Sequence, residues 1–326
     1  MRALTAQIET FALRRHFTIS RGTKTETIVV VATISDGTTI GRGECGPNAR
    51  YDETPESVAA DILAMSTALE AGMTRAGLQD AMPPGAARNA IDCALWDFEA
   101  RTSGTPAWQQ AGLLTLDPVV TAFTLSADGP AEMSREAAAH ASRPLLKLKL
   151  TGEDDLARVR AVRAAVREVS LIVDANEAWD VETYRELVPA LAALGVELIE
   201  QPFPAGDDGA LATLPRPIPV CADEAFHDRA SLARLKGKYD LVNIKLDKTG
   251  GLTEALATVA AARADGFGVM VGCMVGTSLA MAPAMLVAQV AEFVDLDGPL
   301  LLAQDRTPGL SVEGSNLSLP ASGLWG

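Results

Sequence analysis

From about Asp117 onward, short runs rich in β-branched residues alternate with amphipathic helical stretches, and this alternation limits the fold more than any other feature of the chain. The runs cover residues 119–126, 145–150, 171–176, 197–201, 219–224, 241–246, 268–273 and 293–297. Strands joined through helices cannot pair as hairpins, so the connections must cross over and build a parallel sheet. Helical spacing is legible between them in Leu156, Val159, Val162, Val166 and Val169, and over 231–236 and 253–263. Eight such strands over residues 116–303 predict an α/β fold, a (β/α)7β TIM-like barrel with one helix short or missing. An open doubly wound sheet is the alternative.

The N-terminal third is built differently. Residues 3–11, 25–34 and 38–43 read as antiparallel strands, the last two joined by an Asp36-Gly37 turn, and 56–73 and 86–102 as helices, the second carrying Ile91, Leu95 and Phe98 at helical spacing. Strands followed by helices predict a small α+β unit over residues 1–115. The turn-rich tail, 304–326, is expected to return to it. A length of 326 residues suits two such units. Lys plus Arg number 28 against 42 for Asp plus Glu, and a net charge of −14 repels phosphate backbones and anionic lipid, so no nucleic acid and no membrane partner is expected. Cys45, Cys93, Cys221 and Cys273 form no Cys-x-x-Cys pair, and no secretory or membrane-spanning run is read, which places the chain in a reducing cytoplasm.

In a parallel barrel the C-terminal strand ends face the active site. Here they carry Lys147 and Lys149, Asp174 and Asn176, Glu200, Asp223 and Glu224, Lys245, and Asp295 and Asp297. Lys147/Lys149 and Asp295/Asp297 are each two apart, which on a strand puts both side chains on one face. Asp174, Glu200 and Asp223 are separated by 26 and 23 positions, one β/α unit each, so three carboxylates sit on adjacent strand ends about 4.8 Å apart. Hard oxygen ligands without His or Cys favour Mg2+, with Mn2+ able to substitute; pairing of the acids with nearby lysines is the plain alternative. Lys149 and Lys245 fall on the second and sixth strands, across the ring from one another with the acids between. A cation and neighbouring lysines are expected to lower their pKa values and make each a base. Two bases on opposite faces of one carbon are what inversion of a stereocentre requires.

These motifs, Lys147-Leu-Lys149, Val173-Asp-Ala-Asn-Glu-Ala-Trp179, Ile199-Glu-Gln-Pro202, Asp223-Glu224, Asn243-Ile-Lys-Leu-Asp-Lys-Thr-Gly-Gly251, Gly272-Cys-Met274 and Asp295-Leu-Asp-Gly298, resemble the muconate lactonizing enzyme subgroup of the enolase superfamily, and within it the dipeptide epimerases of the L-Ala-D/L-Glu type. The resemblance implies that the N-terminal unit, completed by the tail, is a capping domain. It implies Asp174, Glu200 and Asp223 as Mg2+ ligands, Lys149 and Lys245 as the acid/base pair, and Lys147 as the group that stabilises the enolate. It further implies Asp295 and Asp297 as the site for the α-ammonium of a dipeptide substrate. Arg21, in the capping loop Ser20-Arg21-Gly22, is a candidate for a substrate carboxylate, a solvated surface arginine being the alternative. Side-chain preference and a homo-oligomeric state are left open.

Other signals are set aside. Gly41-Arg-Gly-Glu-Cys-Gly46 satisfies a dinucleotide pattern but runs into Pro47 rather than a helix. His16, His140 and His227 miss the strand ends, Cys221 and Cys273 read as small buried strand residues, and Lys248, three residues past Lys245, is assigned no chemistry. Rival readings are N-acylamino acid racemisation, o-succinylbenzoate synthesis or muconate cycloisomerisation on the same scaffold, and, from another class, an inactive barrel that binds without turnover.

Overall fold

A computed structural model describes residues 2–319 and 323–326. The N-terminal unit is a long hairpin, β1 (Ala3–Ile19) and β2 (Gly22–Ser35), with β3 (Ile40–Cys45) added to β2. The hairpin outruns the expected strands because pairing resumes beyond a register shift between Ala12 and Phe17 and continues to Ile19 opposite Gly22. This carries the Ser20-Arg21 tip well away from the sheet's packed end. The expected helix over 56–73 is two pieces, Pro55–Ala64 and Ser66–Glu70, and a further helix, Arg75–Ala81, starts where the Thr74 hydroxyl accepts from Gly77 N.

The helix Ala86–Ser103 is buried on most of its surface. It lies so close to β3 that a Cβ on Gly41 or Gly43 would stand 2.4 or 2.2 Å from its backbone oxygens. The glycines of the apparent dinucleotide pattern are therefore close-packing positions. The helix's polar residues face the barrel: Arg88 donates to the Gly250 and Thr249 carbonyls, Asp92 accepts from Thr253 N, and Asn89 donates to Asp247.

The barrel is a parallel sheet of β5 (Phe123–Leu125), β6 (Leu145–Lys149), β7 (Ser170–Asp174), β8 (Val196–Glu200), β9 (Val220–Ala222), β10 (Leu241–Ile244), β11 (Gly268–Gly272) and β12 (Phe293–Asp295) in sequential order. Ala122 N donates to Val294 O at 2.8 Å and closes the ring, which removes the open-sheet alternative. The first expected strand, 119–126, is divided: β4 (Val119–Val120) pairs instead with the tail hairpin, β13 (Ser311–Glu313) and β14 (Asn316–Ser318). Connections after β8 and β9 are reduced to short helical turns, Gly209–Ala212 and Arg229–Leu235. The end of the chain lies on the helix Ala86–Ser103, where Trp325 Nε1 donates to Cys93 O and Gly326 N to Asp97.

Inside the barrel, Ile172, Leu198, Cys221, Leu241 and Met270 form an apolar plug with Leu145 and Phe293. One strand period above this floor the inward positions are Thr124, Lys147, Asp174, Glu200, Asp223, Asn243, Gly272 and Asp295, so this layer has to be satisfied by charge pairing and hydrogen bonds.

Candidate active site

The layer above the plug is set by register. Lys149 lies beside Asp174, Asp174 beside Glu200, and Glu200 beside Cys221, two residues before Asp223. Lys147, Lys149, Asp174, Glu200, Asp223, Glu224, Lys245, Lys248, Asp295 and Asp297 are all buried, six carboxylates against four ammonium groups. Lys147 Nζ stands 2.6 Å from Glu200 Oε2, 2.7 Å from Asp295 Oδ2 and 3.2 Å from Asp174 Oδ2. Lys149 Nζ is 2.5 Å from Asp174 Oδ2, and Lys245 Nζ is 2.7 Å from Asp223 Oδ2. Asn243 Nδ2 donates to Glu200 Oε1 at 2.7 Å, in space that Gly272 leaves open: a Cβ there would meet the Asn243 amide at 2.7 Å.

The acids split by neighbourhood. Burial alone would raise Asp174, yet Lys149 and Lys147 overcome it and hold the acid at about 2. Burial likewise opposes ionisation of Asp223, and Lys245 and Lys248 prevail, placing it well below the ordinary range. Glu200 is pushed up to about 7 by burial and then by the charges of Asp174 and Asp223. Asp297 is also raised to about 7, by burial and by Asp295. Burial lowers Lys245, but Asp223 and Glu200 outweigh it and push the ammonium up; Lys147 is raised in the same way. At Lys245 the neighbouring Lys147, which works to depress the amine, is outweighed by the acids. A depressed Lys245 requires that the acid charge first be neutralised.

Asp174, Glu200 and Asp223 are the residues able to hold a metal. Among the described residues no three groups already converge as ion ligands, since Asp174 and Asp223 are turned onto ammonium groups. The donor set nevertheless fits a hard divalent cation. It is all oxygen and carries a surplus of carboxylates. Among the described residues Glu200 Oε2 has no aligned hydrogen bond, only the Lys147 ammonium at 2.6 Å, and burial followed by the charges of the other two acids raises Glu200 to about 7. A cation among them removes all three difficulties.

β12 ends at Asp295 and Asp297 precedes the short helix Gly298–Leu301, yet both carboxylates turn onto Thr124 of β5: the Thr124 hydroxyl donates to Asp295 Oδ1 at 3.3 Å and Thr124 N to Asp297 Oδ2 at 2.6 Å. Asp295 is matched by Lys147, 148 residues away in sequence, so of the two only Asp297 lacks an ammonium partner among the described residues.

The cap closes the top. Arg21 NH2 lies 2.8 Å from Glu224 Oε1 and its NH1 donates to Asn176 O, while Arg50 NH2 is 2.6 Å from Glu177 Oε1. Asn176, Glu177 and Gln201 hold left-handed φ values of 44°, 68° and 36° at the ends of β7 and β8. Such backbone persists only where surroundings enforce it. Gln201 is fixed by accepting from Asp223 N and Ala225 N and donating to Phe203 O and Tyr239 Oη.

Sequence reasoning did not single out Arg50, considered Lys248 and assigned it no chemistry, and named Glu177, Gln201, Glu224 and Asn176 without a role. Lys248 lies just past a strand end, in the one-turn helix that follows Lys245, and both lysines reach Asp223. The others act through contacts between distant segments, for which the chain gives no local signal. The histidines stay outside this cluster: His140 stacks on Phe123 and His227 meets the edge of Tyr51.

Residues 3–112 match the model for the mandelate racemase/muconate lactonizing enzyme N-terminal domain, and residues 131–322 match the enolase C-terminal domain-like model. The chain belongs to the mandelate racemase/muconate lactonizing enzyme family. Among members of this family within the enolase superfamily, it is 44% identical to the L-Ala-D/L-Glu epimerase of Escherichia coli (strain K12), across 98% of this chain and 100% of that one. It is also 44% identical to an N-acetyl-D-glutamate racemase from Pseudoalteromonas sp, across 91% of this chain and 95% of that protein. A solved family structure from Agrobacterium tumefaciens, described as homologous to dipeptide epimerases and holding sodium and L-Ala-L-Glu with an ordered loop, superposes with a TM-score of 0.99 at 53% identity over all of both chains.

Proposed function

We propose that this chain is a Mg2+-dependent dipeptide epimerase of the L-Ala-D/L-Glu type, working by 1,1-proton transfer at the carbon α to a carboxylate. The observation that carries the reading is the placement of Lys149 and Lys245 on β6 and β10, with Asp174, Glu200 and Asp223 on the strands between. The three acids would hold the cation, which when bound stabilises negative charge developing on the substrate carboxylate. Lys149 would take the α-proton from one face, and Lys245, held as an ammonium beside Asp223, would return one to the other; in the reverse direction the roles exchange. Lys147, buried among acids and kept cationic, supplies fixed positive charge against the enolate. Asp297 would take the α-ammonium of the dipeptide, with Asp295 reserved for Lys147. Arg21 would meet a substrate carboxylate by leaving Glu224.

A second reading is N-acyl amino acid racemisation. The Pseudoalteromonas relative supports it at equal identity, and so does the neutralisation of Asp295, which leaves one free acid where the epimerase reading from sequence had two. Turnover of L-Ala-L-Glu and of N-acetylglutamate, followed by proton NMR in D2O, separates the two. Loss of one charge-assisted bond of about 1.5–3 kcal/mol should leave the N-acetyl compound roughly 10- to 100-fold lower in kcat/KM. Asp297→Asn should narrow that gap. Faster racemisation of N-acetylglutamate than of any free dipeptide would overturn the epimerase reading while leaving the lysine assignments intact.

A reducing cytoplasmic setting is part of the same proposal and is supported by four free cysteines. Among the described residues no helix is long and apolar enough to cross a membrane. A homo-oligomer is testable by light scattering.

A further inference from the structure

Lys248 was set aside in the sequence, yet it is buried at the centre of the charged layer. It sits on the one-turn helix Leu246–Thr249, for which Lys245, still in extended backbone at the end of β10, is the N-cap residue. The two ammonium groups reach the same acid from two sides. Lys245 Nζ is 2.7 Å from Asp223 Oδ2, while Lys248 Nζ is 2.5 Å from Asp223 Oδ1 and 2.6 Å from Asp223 O. One ammonium therefore ties the side chain of Asp223 to its own main chain. The residue's backbone is pinned as well, since Asp223 N donates to Gln201 Oε1 at 2.9 Å. The ammonium of Lys248 also lies over the Phe226 ring, 5.5 Å from its centroid.

Resting on the metal reading above, we infer that Lys248 is a positioning residue that commits Asp223 Oδ1 and leaves Oδ2 alone to face a cation. Lys245, the proposed acid/base, has to release Oδ2 for catalysis, whereas Lys248 has no such task and keeps its hold. Asp223 is thereby restricted to one oxygen per ion. This restriction selects among ions of equal charge: Mg2+ takes single oxygens in near-ideal octahedral geometry, while Ca2+ accepts carboxylates through both oxygens at six to eight coordination. A site that denies the second oxygen disfavours Ca2+.

The test is calorimetric titration of the metal-stripped full chain with Mg2+ and separately with Ca2+. Removing an ammonium beside the site alters affinity for both ions alike, because both carry two charges, so only the ratio of the two Kd values reports denticity. Lys248→Met should move that ratio toward Ca2+ by about tenfold, the lower end of what second-layer partners contribute. Lys248→Arg, which keeps an N–H donor for Oδ1, should stay within about twofold of the native ratio. If Lys248→Met does not fold by circular dichroism, Lys248→Gln, whose amide is too short to reach Oδ1, is read in its place. An unchanged ratio in the Met or Gln protein, or an equal shift in the Arg protein, overturns the inference. Failure of the native chain to bind Mg2+ at all would instead overturn the metal reading.

Discussion

Asp247→Asn should remove a specific part of the protein's pH-dependent stability. Asp247 is buried between cap and barrel, where its Oδ1 accepts from Gly46 N at 3.0 Å and from Asn89 Nδ2 at 2.9 Å. Burial overcomes these two bonds and raises the acid from an ordinary 3.8 to about 7. A carboxyl with a raised folded pKa is protonated in the folded chain while already ionised in the unfolded one. Its favourable contribution is therefore present at low pH and lost as pH rises toward 7. Each unit in that window costs about 1.4 kcal/mol, so between pH 5 and pH 8 the native chain should lose about 2–3 kcal/mol from this group. Asparagine keeps the Oδ1 acceptor and does not ionise. Urea midpoints of the two proteins should thus diverge as pH rises from 5 to 8, the variant gaining relative to the native chain. Other buried acids, Glu200 and Asp297 among them, titrate in both proteins and cancel in the difference. Parallel midpoint profiles for the two proteins would refute the placement of a protonated Asp247 in this joint.

Lys149→Ala and Lys245→Ala should each lower epimerisation by at least about 100-fold, the usual contribution of a positioned general base. Each single variant should still exchange the α-proton of one epimer with D2O, the epimer differing between the two, and native rates in both would remove these lysines from the chemistry. EDTA should abolish turnover and Mg2+ restore it, whereas Asp223→Asn should need more Mg2+ for half-maximal activity; full activity of the stripped Asn protein would exclude this acid as a ligand.

The barrel was legible because its strands are short, regularly spaced and charged at one end. Lys147 and Lys149 could be placed on one inward face from spacing alone, and both are buried there. At Asp295 and Asp297 the strand stops at Asp295, yet both buried carboxylates still reach Thr124 of β5. Spacing misled at 119–126, where Val119 and Val120 are taken by a hairpin almost 200 residues downstream, a pairing no local pattern encodes. Lys147–Asp295 and Arg21–Glu224 are likewise products of closure: the ring brings its second and last strands within reach of one another, and a hairpin tip reaches the barrel mouth.

The grip of helix Ala86–Ser103 on the segment after Lys245 bears on how such proteins diversify. Arg88 holds the Thr249 and Gly250 carbonyls, Asp92 holds Thr253, and Asn89 holds Asp247, so the N-terminal unit braces the stretch of chain that aims a proposed proton donor. Transplanting a foreign cap onto this barrel would exchange that brace together with the specificity loops. Selection for a new substrate is left with the rim, at Arg21 and Arg50, where side chains can change without loosening the bench on which the lysine is mounted.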